Sequence, residues 1–219
     1  MIDMPPPAPV PTVSMTPVTT TTSAAATAAP RRRRVRDLVL AAAKARAQQA
    51  LTLVGDTKTP LFAPFSPSPA SVISAVWDYL DTHKGVPIAS HELLVDLGCG
   101  DARWLISGVQ RYHCQALGIE IDHALVQKAQ LAVQQLDMSD RIRIVQDDIM
   151  RVDISSAKVV IVYAFAESLH GIRAHLESQL GEDASVLSIG FRVPEWRPKW
   201  SDRVDGLRWY FYELKDCSR

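Results

Sequence analysis

Residues 93–101 read Leu93-Leu94-Val95-Asp96-Leu97-Gly98-Cys99-Gly100-Asp101, an apolar run carrying a carboxylate that turns through two glycines. Ala102, Arg103 and Trp104 then open a helical pattern. A strand, a glycine turn and a helix make the first unit of an open α/β sheet, and the missing Cβ atoms let backbone approach a ligand unusually closely. A dinucleotide loop would need a third small residue, in the pattern G-x-G-x-x-G/A, to close helix onto strand over a pyrophosphate. That position is Arg103. The turn instead suits a ligand without phosphates, with its amino-acid end on the glycines and its ribose further along the sheet edge.

Outward from this stretch, the pattern alternates. Helices are expected over 103–112, over 123–136 with Asp122 as cap, and over 167–180. Strands are expected over 115–120, 141–145, 159–165 and 186–191. Such alternation implies a mostly parallel, doubly wound sheet covered on both faces, since parallel strands need crossover connections. The aromatic, β-prone stretch 207–214 can add a last, antiparallel strand. Upstream, Ile73, Val76, Trp77 and Leu80 recur at helical spacing, ending at Lys84-Gly85, with Ser68-Pro69 as the expected cap and first helical position.

The chain has 219 residues, 47% of them apolar, enough for one cored domain and an additional segment. That segment is expected over residues 1–58, and the folded domain over 59–219. Residues 5–30 hold Pro, Thr, Ala, Ser and Val without any charge, then meet Arg31-Arg32-Arg33-Arg34 and an Ala-rich, helix-prone stretch over 35–54. A hydroxylated, arginine-rich leader followed by an amphipathic stretch has the composition of an organelle transit peptide. Asp3 and Asp37 count against it, and a disordered tail with a basic patch or a nuclear signal is the other reading. The expected location is mitochondrial, with cytoplasm or nucleus as alternatives. No run is apolar enough to span a bilayer, so any membrane association would come through the substrate or the N-terminal segment. Formal charge is zero overall but about −5 beyond residue 58, which argues against a nucleic-acid partner. Cys99, Cys114 and Cys217 have neither disulfide nor zinc spacing, and no metal site is expected.

Open sheets bind ligands beyond the C-terminal ends of their strands. Three successive ends carry acids: Asp96, Glu120, and the pair Asp147-Asp148. Glu120 stands about 20 residues past the glycines, where an acid can accept both ribose hydroxyls. Asp147 or Asp148 can accept an adenine amino group. Gly98, Cys99, Gly100, Ile121 and Ile149 complete the candidate binding set. Any one acid is equally explained as a helix cap or strand end, and the combination carries the reading. After the fourth strand, Tyr163, Phe165 and Glu167 put a carboxylate beside an aromatic wall, suited to an amine acceptor. Tyr163 and Glu167 are the candidate catalytic residues, although the helix dipole alone favours an acid at 167. Trp196 and Trp200, near Pro194 and Pro198, either form a lid or close the core.

The segment D-L-G-C-G-D resembles the first motif of the seven-stranded class I S-adenosylmethionine-dependent methyltransferases, with Ala102 where their pattern usually has another glycine. By that resemblance the cofactor is S-adenosylmethionine, Asp96 orients its methionine end, and Asp148, preceding the apolar Ile149, is the adenine acid. P-F-S-P-S-P at 64–69, G-I-E-I-D, V-V-I-V-Y-A-F and the late F-R-V-P-E-W together look like the mitochondrial protein-lysine methyltransferases of the adenine nucleotide translocase and the ATP synthase c-subunit. The resemblance covers roughly residues 60–200. It implies a protein substrate presenting a lysine, and places residues 65–69 over the cofactor pocket. The alternatives are a methyltransferase for a small molecule or another protein nucleophile, and a non-catalytic scaffold that binds the same cofactor. A dinucleotide-dependent oxidoreductase fits poorly, given Arg103.

Overall fold

The structure is a computed structural model and describes residues 65–217. The expected leader over 1–58, its helix-prone stretch, and Pro60 and Pro64 lie outside the described residues. Seven strands form one sheet: β1 (Leu93–Leu97), β2 (Gln115–Glu120), β3 (Ile142–Gln146), β4 (Ala157–Val162), β5 (Ser185–Ile189), β6 (Trp200–Val204) and β7 (Leu207–Glu213). Their order is β3-β2-β1-β4-β5-β7-β6. The first five pair in parallel, and β7 runs antiparallel to both β5 and β6.

The central strands read as apolar runs because both faces are covered. On one face, helices α1 (Ala70–Lys84), α2 (Arg103–Tyr112) and α3 (His123–Gln135) bury Trp77, Leu80, Leu105 and Val126 against Leu94, Ile144, Val159 and Ile161. Among the described residues, the opposite face is covered by α4 (Leu169–Gln179) and by loops that contribute Ile149, Ile154, Val193 and Trp196. Trp196 is 1% exposed, packs edge-on against Tyr212, and donates through Nε1 to Glu177 at 2.8 Å. Of the two readings of Trp196, core closure is the observed one. Trp200 opens β6 and is partly buried against the first core, so core closure holds for it as well.

Three local expectations are corrected. Ser68 does not cap α1: the helix begins at Ala70 with Pro69 in the cap position, and the Ser68 hydroxyl accepts from Trp104 Nε1 at 3.0 Å. The fourth strand ends at Val162, leaving Tyr163 and Phe165 in the loop beyond it. The edge strand β6 is an addition to the expected set, because Trp-Ser-Asp-Arg-Val offers no apolar alternation and leaves its three central residues exposed. Charged edge strands deter pairing with other chains but lose the apolar signal. Asp205 and Gly206, both at positive φ, close the β6–β7 hairpin, and Asp-Gly is the sequence signal for it. No helix among the described residues is long and apolar enough to cross a membrane.

Candidate active site

The glycine turn is sewn to β2. The amides of Gly98 and Cys99 both donate to the Ile119 carbonyl, at 2.8 and 3.0 Å. Gly98 and Gly100 take φ of 80° and 56°, a region that costs other L-residues about 1–2 kcal/mol. Ala102 also lies there, at φ 63°, as the cap of α2, and is fully buried. The chain therefore keeps the left-handed bend that a further glycine would favour, with a methyl group in the core.

Glu120 is locked by backbone. Its Oε2 accepts from Gly100 N at 2.9 Å, and Oε1 accepts from the amides of Ile121 and Asp122 at 2.9 and 3.0 Å. A carboxylate has about four acceptor positions, so the same side chain that fixes the turn retains capacity toward a hydroxyl. Asp122 is a helix cap, accepting from Ala124 and Leu125 amides at 2.8 and 3.1 Å.

Asp96 is 4% exposed beneath the turn. Burial, then the nearby Glu120 and Asp101 carboxylates, push its pKa up to about 8. Asp101 goes the other way: hydrogen bonds from Arg103 hold it below the usual carboxylate range despite partial burial, with Lys128 adding to the effect. Arg103 Nε and Nη2 reach Asp101 at 2.8 and 2.6 Å, and its Nη1 reaches the Ser68 carbonyl at 2.7 Å. Residues 65–69 are thereby tied above the turn. A Cβ on Gly100 would collide with the Phe65 ring, over which Lys128 Nζ sits 5.4 Å from the centroid.

At the ends of β2 and β3, Ile121 and Met150 are 40% and 37% exposed. With Phe65, at 41%, they are three large apolar side chains left open along one rim, an arrangement that fits the faces of a base and not a polar metabolite. Asp148 is half-buried and accepts from Met150 N at 3.0 Å, while the exposed Asp147 accepts from Asp148 N at 2.7 Å. Ile149 points into the core and Cys99 is buried against Gly118. Burial, followed by Asp96 and Glu120, drives the Cys99 thiol far above its ordinary pKa, so it is no nucleophile.

The structure brings Asp96, Gly98, Gly100, Glu120, Ile121 and Asp148 to one edge of the sheet, and Tyr163 and Glu167 to the same edge beyond β4. Glu167 is exposed and precedes the α4 cap, Ser168, instead of occupying the helix's first turn. The amides of Ser168 and Leu169 bond to the Phe165 carbonyl at 3.0 and 3.2 Å, which delays the helix start. Tyr163 packs its ring against Gly190, and Phe165 meets Phe191 edge-on at 6.5 Å. Asp101, Arg103, Lys128, Met150 and Phe191 stand at this edge without having been expected in the site. Signals in the sequence are Asp101-Ala102-Arg103, a charged pair inside the turn, and Phe191 as the first residue of F-R-V-P-E-W.

A glycine turn, a buried acid and exposed apolar side chains at successive strand ends fit an adenosyl sulfonium amino acid, and comparison with known proteins agrees. The family model for the ANTKMT methyltransferase domain matches residues 96–200. A protein-lysine N-methyltransferase of Saccharolobus islandicus (strain REY15A) is 27% identical over 143 residues, which are 65% of this chain and 85% of that one. The human lysine N-methyltransferase of the ATP synthase c-subunit is 26% identical over 143 residues, 65% of this chain but only 57% of that protein. The chain thus spans little more than half the length of that relative. Among solved structures, an RNA methyltransferase from Salinibacter ruber in complex with S-adenosyl-L-homocysteine superposes with a TM-score of 0.63 at 28% identity, covering 68% of this chain and 94% of that one. The chain is an S-adenosylmethionine-dependent methyltransferase with the fold of the class I enzymes, similar to the ANTKMT methyltransferase domain and to the lysine N-methyltransferases of the ATP synthase c-subunit.

Proposed function

We propose that this enzyme transfers methyl groups to a lysine side chain of a protein. The observation that carries the reading is the similarity to lysine-directed enzymes over 143 residues, together with the family-model match over residues 96–200, which holds both the glycine turn and the Tyr163–Glu167 loop. When bound, S-adenosylmethionine supplies a methyl carbon on a cationic sulfur. In this reading Asp96 faces the positive methionine end, Glu120 takes the ribose hydroxyls, Asp148 takes the adenine amino group, and Ile121 and Met150 flank the base. Transfer needs little covalent help from the protein; alignment of acceptor, methyl and sulfur can supply on the order of 7–11 kcal/mol. A lysine ammonium must also lose its proton, which passes to solvent at the exposed mouth beside Glu167. Tyr163 orients the amine, and Glu167, at the exposed mouth, draws the cation in. The arginine-rich leader fits delivery to mitochondria.

The test is incubation of the purified chain with labelled S-adenosylmethionine and mitochondrial extract from cells lacking it, followed by mass spectrometry. Label on lysine of a membrane carrier or of an ATP synthase component is the expected outcome. Label confined to small metabolites or to RNA, the substrate class named for the Salinibacter enzyme, overturns it.

A further inference from the structure

We propose that residues 65–69 form a clasp over the glycine turn, seated by Gly100 and latched by the positioning residue Arg103, which slows the escape of the bound cofactor. The proposal goes beyond the lysine reading and concerns the cofactor alone. The two glycines of the turn face different things. A Cβ on Gly98 would meet nothing within 4 Å, whereas one on Gly100 would collide with Cε2 and Cδ2 of Phe65. Both glycines have positive φ, but so does Ala102 two residues on, at 63°. A left-handed backbone therefore does not by itself demand glycine at 100. The Phe65 ring occupies the space that a side chain there would take, so Gly100 is open toward the clasp and Gly98 toward a ligand.

Ser68 is the fixed point of the clasp. It is buried, its hydroxyl accepts from Trp104 Nε1 at 3.0 Å, and its carbonyl accepts from Arg103 Nη1 at 2.7 Å. Both anchors come from the first turn of α2. Arg103 is itself aimed by Asp101, whose two oxygens it reaches at 2.8 and 2.6 Å, and Lys128 on α3 donates to the same carboxylate at 3.3 Å. A planar guanidinium can hold an acid and a carbonyl at once, in a geometry that an ammonium does not reproduce. On the α1 side of Ser68, Val72 and Ile73 are buried and hold the chain in the core. On the other side Phe65, Ser66 and Pro67 are exposed, and Phe65 lies against Gly100 with Lys128 Nζ 5.4 Å from its ring centroid. A segment pinned in the core at one end and exposed at the other opens about the pin at low cost. With the ring down, a ligand seated at Gly98 covers part of its exposed face and removes apolar area from water. With the ring lifted, the same ligand meets solvent and leaves sooner.

The test follows labelled S-adenosylmethionine as it leaves the full chain during a chase with excess S-adenosylhomocysteine. Phe65→Ala, at an exposed position outside the core, should speed release on the order of tenfold, as expected from part of a phenyl ring's apolar area. Gly100→Ala should do the same in the wild-type chain, yet add no more than about twofold in Phe65→Ala, where the collision is gone. Arg103→Lys, which keeps the charge and loses the fork, should also speed release in the wild-type chain and add as little in Phe65→Ala. A second readout needs no release kinetics. Chymotryptic cleavage after Phe65, located by mass spectrometry, should be suppressed by S-adenosylhomocysteine in the wild type and much less in Arg103→Lys. Slower release from Phe65→Ala would make the ring a competitor of the cofactor and overturn the clasp. Unchanged release from Phe65→Ala, a full additional loss from Gly100→Ala in that variant, or cleavage after Phe65 that ignores the ligand overturns it equally. No acceptor takes part in either readout, so failure of the lysine reading leaves these outcomes as they are, and the reverse.

Discussion

The ends of β1, β2 and β3 and the ends of β4 and β5 form one continuous edge, yet they are made of different material. The first half is backbone geometry and charge: left-handed turn residues, amides committed to Ile119 and Glu120, and carboxylates at Asp96, Glu120 and Asp148. The second half is aromatic surface on loops: Tyr163, Phe165 and Phe191. A ligand common to a whole enzyme class can be met by fixed backbone, whereas an acceptor that varies between enzymes is met by loops and side chains. Substitutions that fill the turn or remove its acids should therefore lower cofactor affinity, and those in the second half should spare it.

The largest effect is expected at Gly98. A Cβ there meets nothing within 4 Å, so Gly98→Arg folds at a cost of about 1–2 kcal/mol for the left-handed backbone while its side chain fills the crevice. Calorimetric affinity for S-adenosylhomocysteine should fall roughly a hundredfold or more, over about 2.7 kcal/mol. Undiminished affinity would move the cofactor away from this turn and dissolve the contrast between the halves.

Asp96 sharpens it next. With its pKa near 8 in the free protein, the carboxyl is protonated at neutral pH and must ionise to serve a cationic ligand. Affinity should then rise by up to about tenfold per pH unit between pH 6 and 8 and level off above, with a proton released on binding. Calorimetry in buffers of differing ionisation heat measures that proton directly, and Asp96→Asn should flatten the profile. The sign for stability is opposite. An unfolded aspartate ionises near pH 4, so the unfolded chain gives up this proton first, and the ligand-free protein loses stability from this group as pH rises from about 4 to 8. Fluorescence-monitored denaturation of the free protein reads that slope, and its absence from Asp96→Asn assigns it.

The two halves also differ in how openly the sequence declares them. β2 runs over Gln115–Glu120 and α2 over Arg103–Tyr112, where their patterns indicate, because buried parallel strands and amphipathic helices have strong periodicity. The glycines and strand-end acids carry their own spacing. Phe191 has none: it is an aromatic in a loop, and only the pairing of β4 with β5 sets it opposite Phe165. Likewise the Arg103 link to Ser68 spans 35 positions, and no local rule relates the two. The sequence points to Ile149 and not to Met150 because apolarity says nothing about which of two neighbours faces the core.

On the acceptor side the expected losses are smaller and fall on turnover. Tyr163→Phe removes one hydroxyl while keeping the ring against Gly190, so kcat should drop by about tenfold, the worth of a hydrogen bond of roughly 1.4 kcal/mol. Glu167→Gln, at an exposed position, should raise the acceptor KM by about threefold, and more at low salt, as expected for a screened charge. Both variants should bind S-adenosylhomocysteine like the wild type. A tenfold loss of cofactor affinity in either would mean that the aromatic half serves the cofactor as well.

The smallest effect concerns Ala102, the one residue at which the cofactor half departs from an all-glycine bend. Its φ of 63° carries a left-handed penalty of about 1–2 kcal/mol, which Ala102→Gly would relieve. Glycine also gains about 0.5–1 kcal/mol of unfolded-state entropy and surrenders a methyl group that is fully buried, worth about 0.8 kcal/mol. These nearly cancel, so the midpoint of urea unfolding should move by less than about 1 kcal/mol equivalent, with cofactor affinity within about twofold. A gain well beyond that would mean that the methyl is strained as well as misplaced in φ. A comparable loss would mean that its packing against α2 and β1 is what holds the turn in shape for the ligand, so that side-chain packing, and not backbone geometry alone, builds this half of the site.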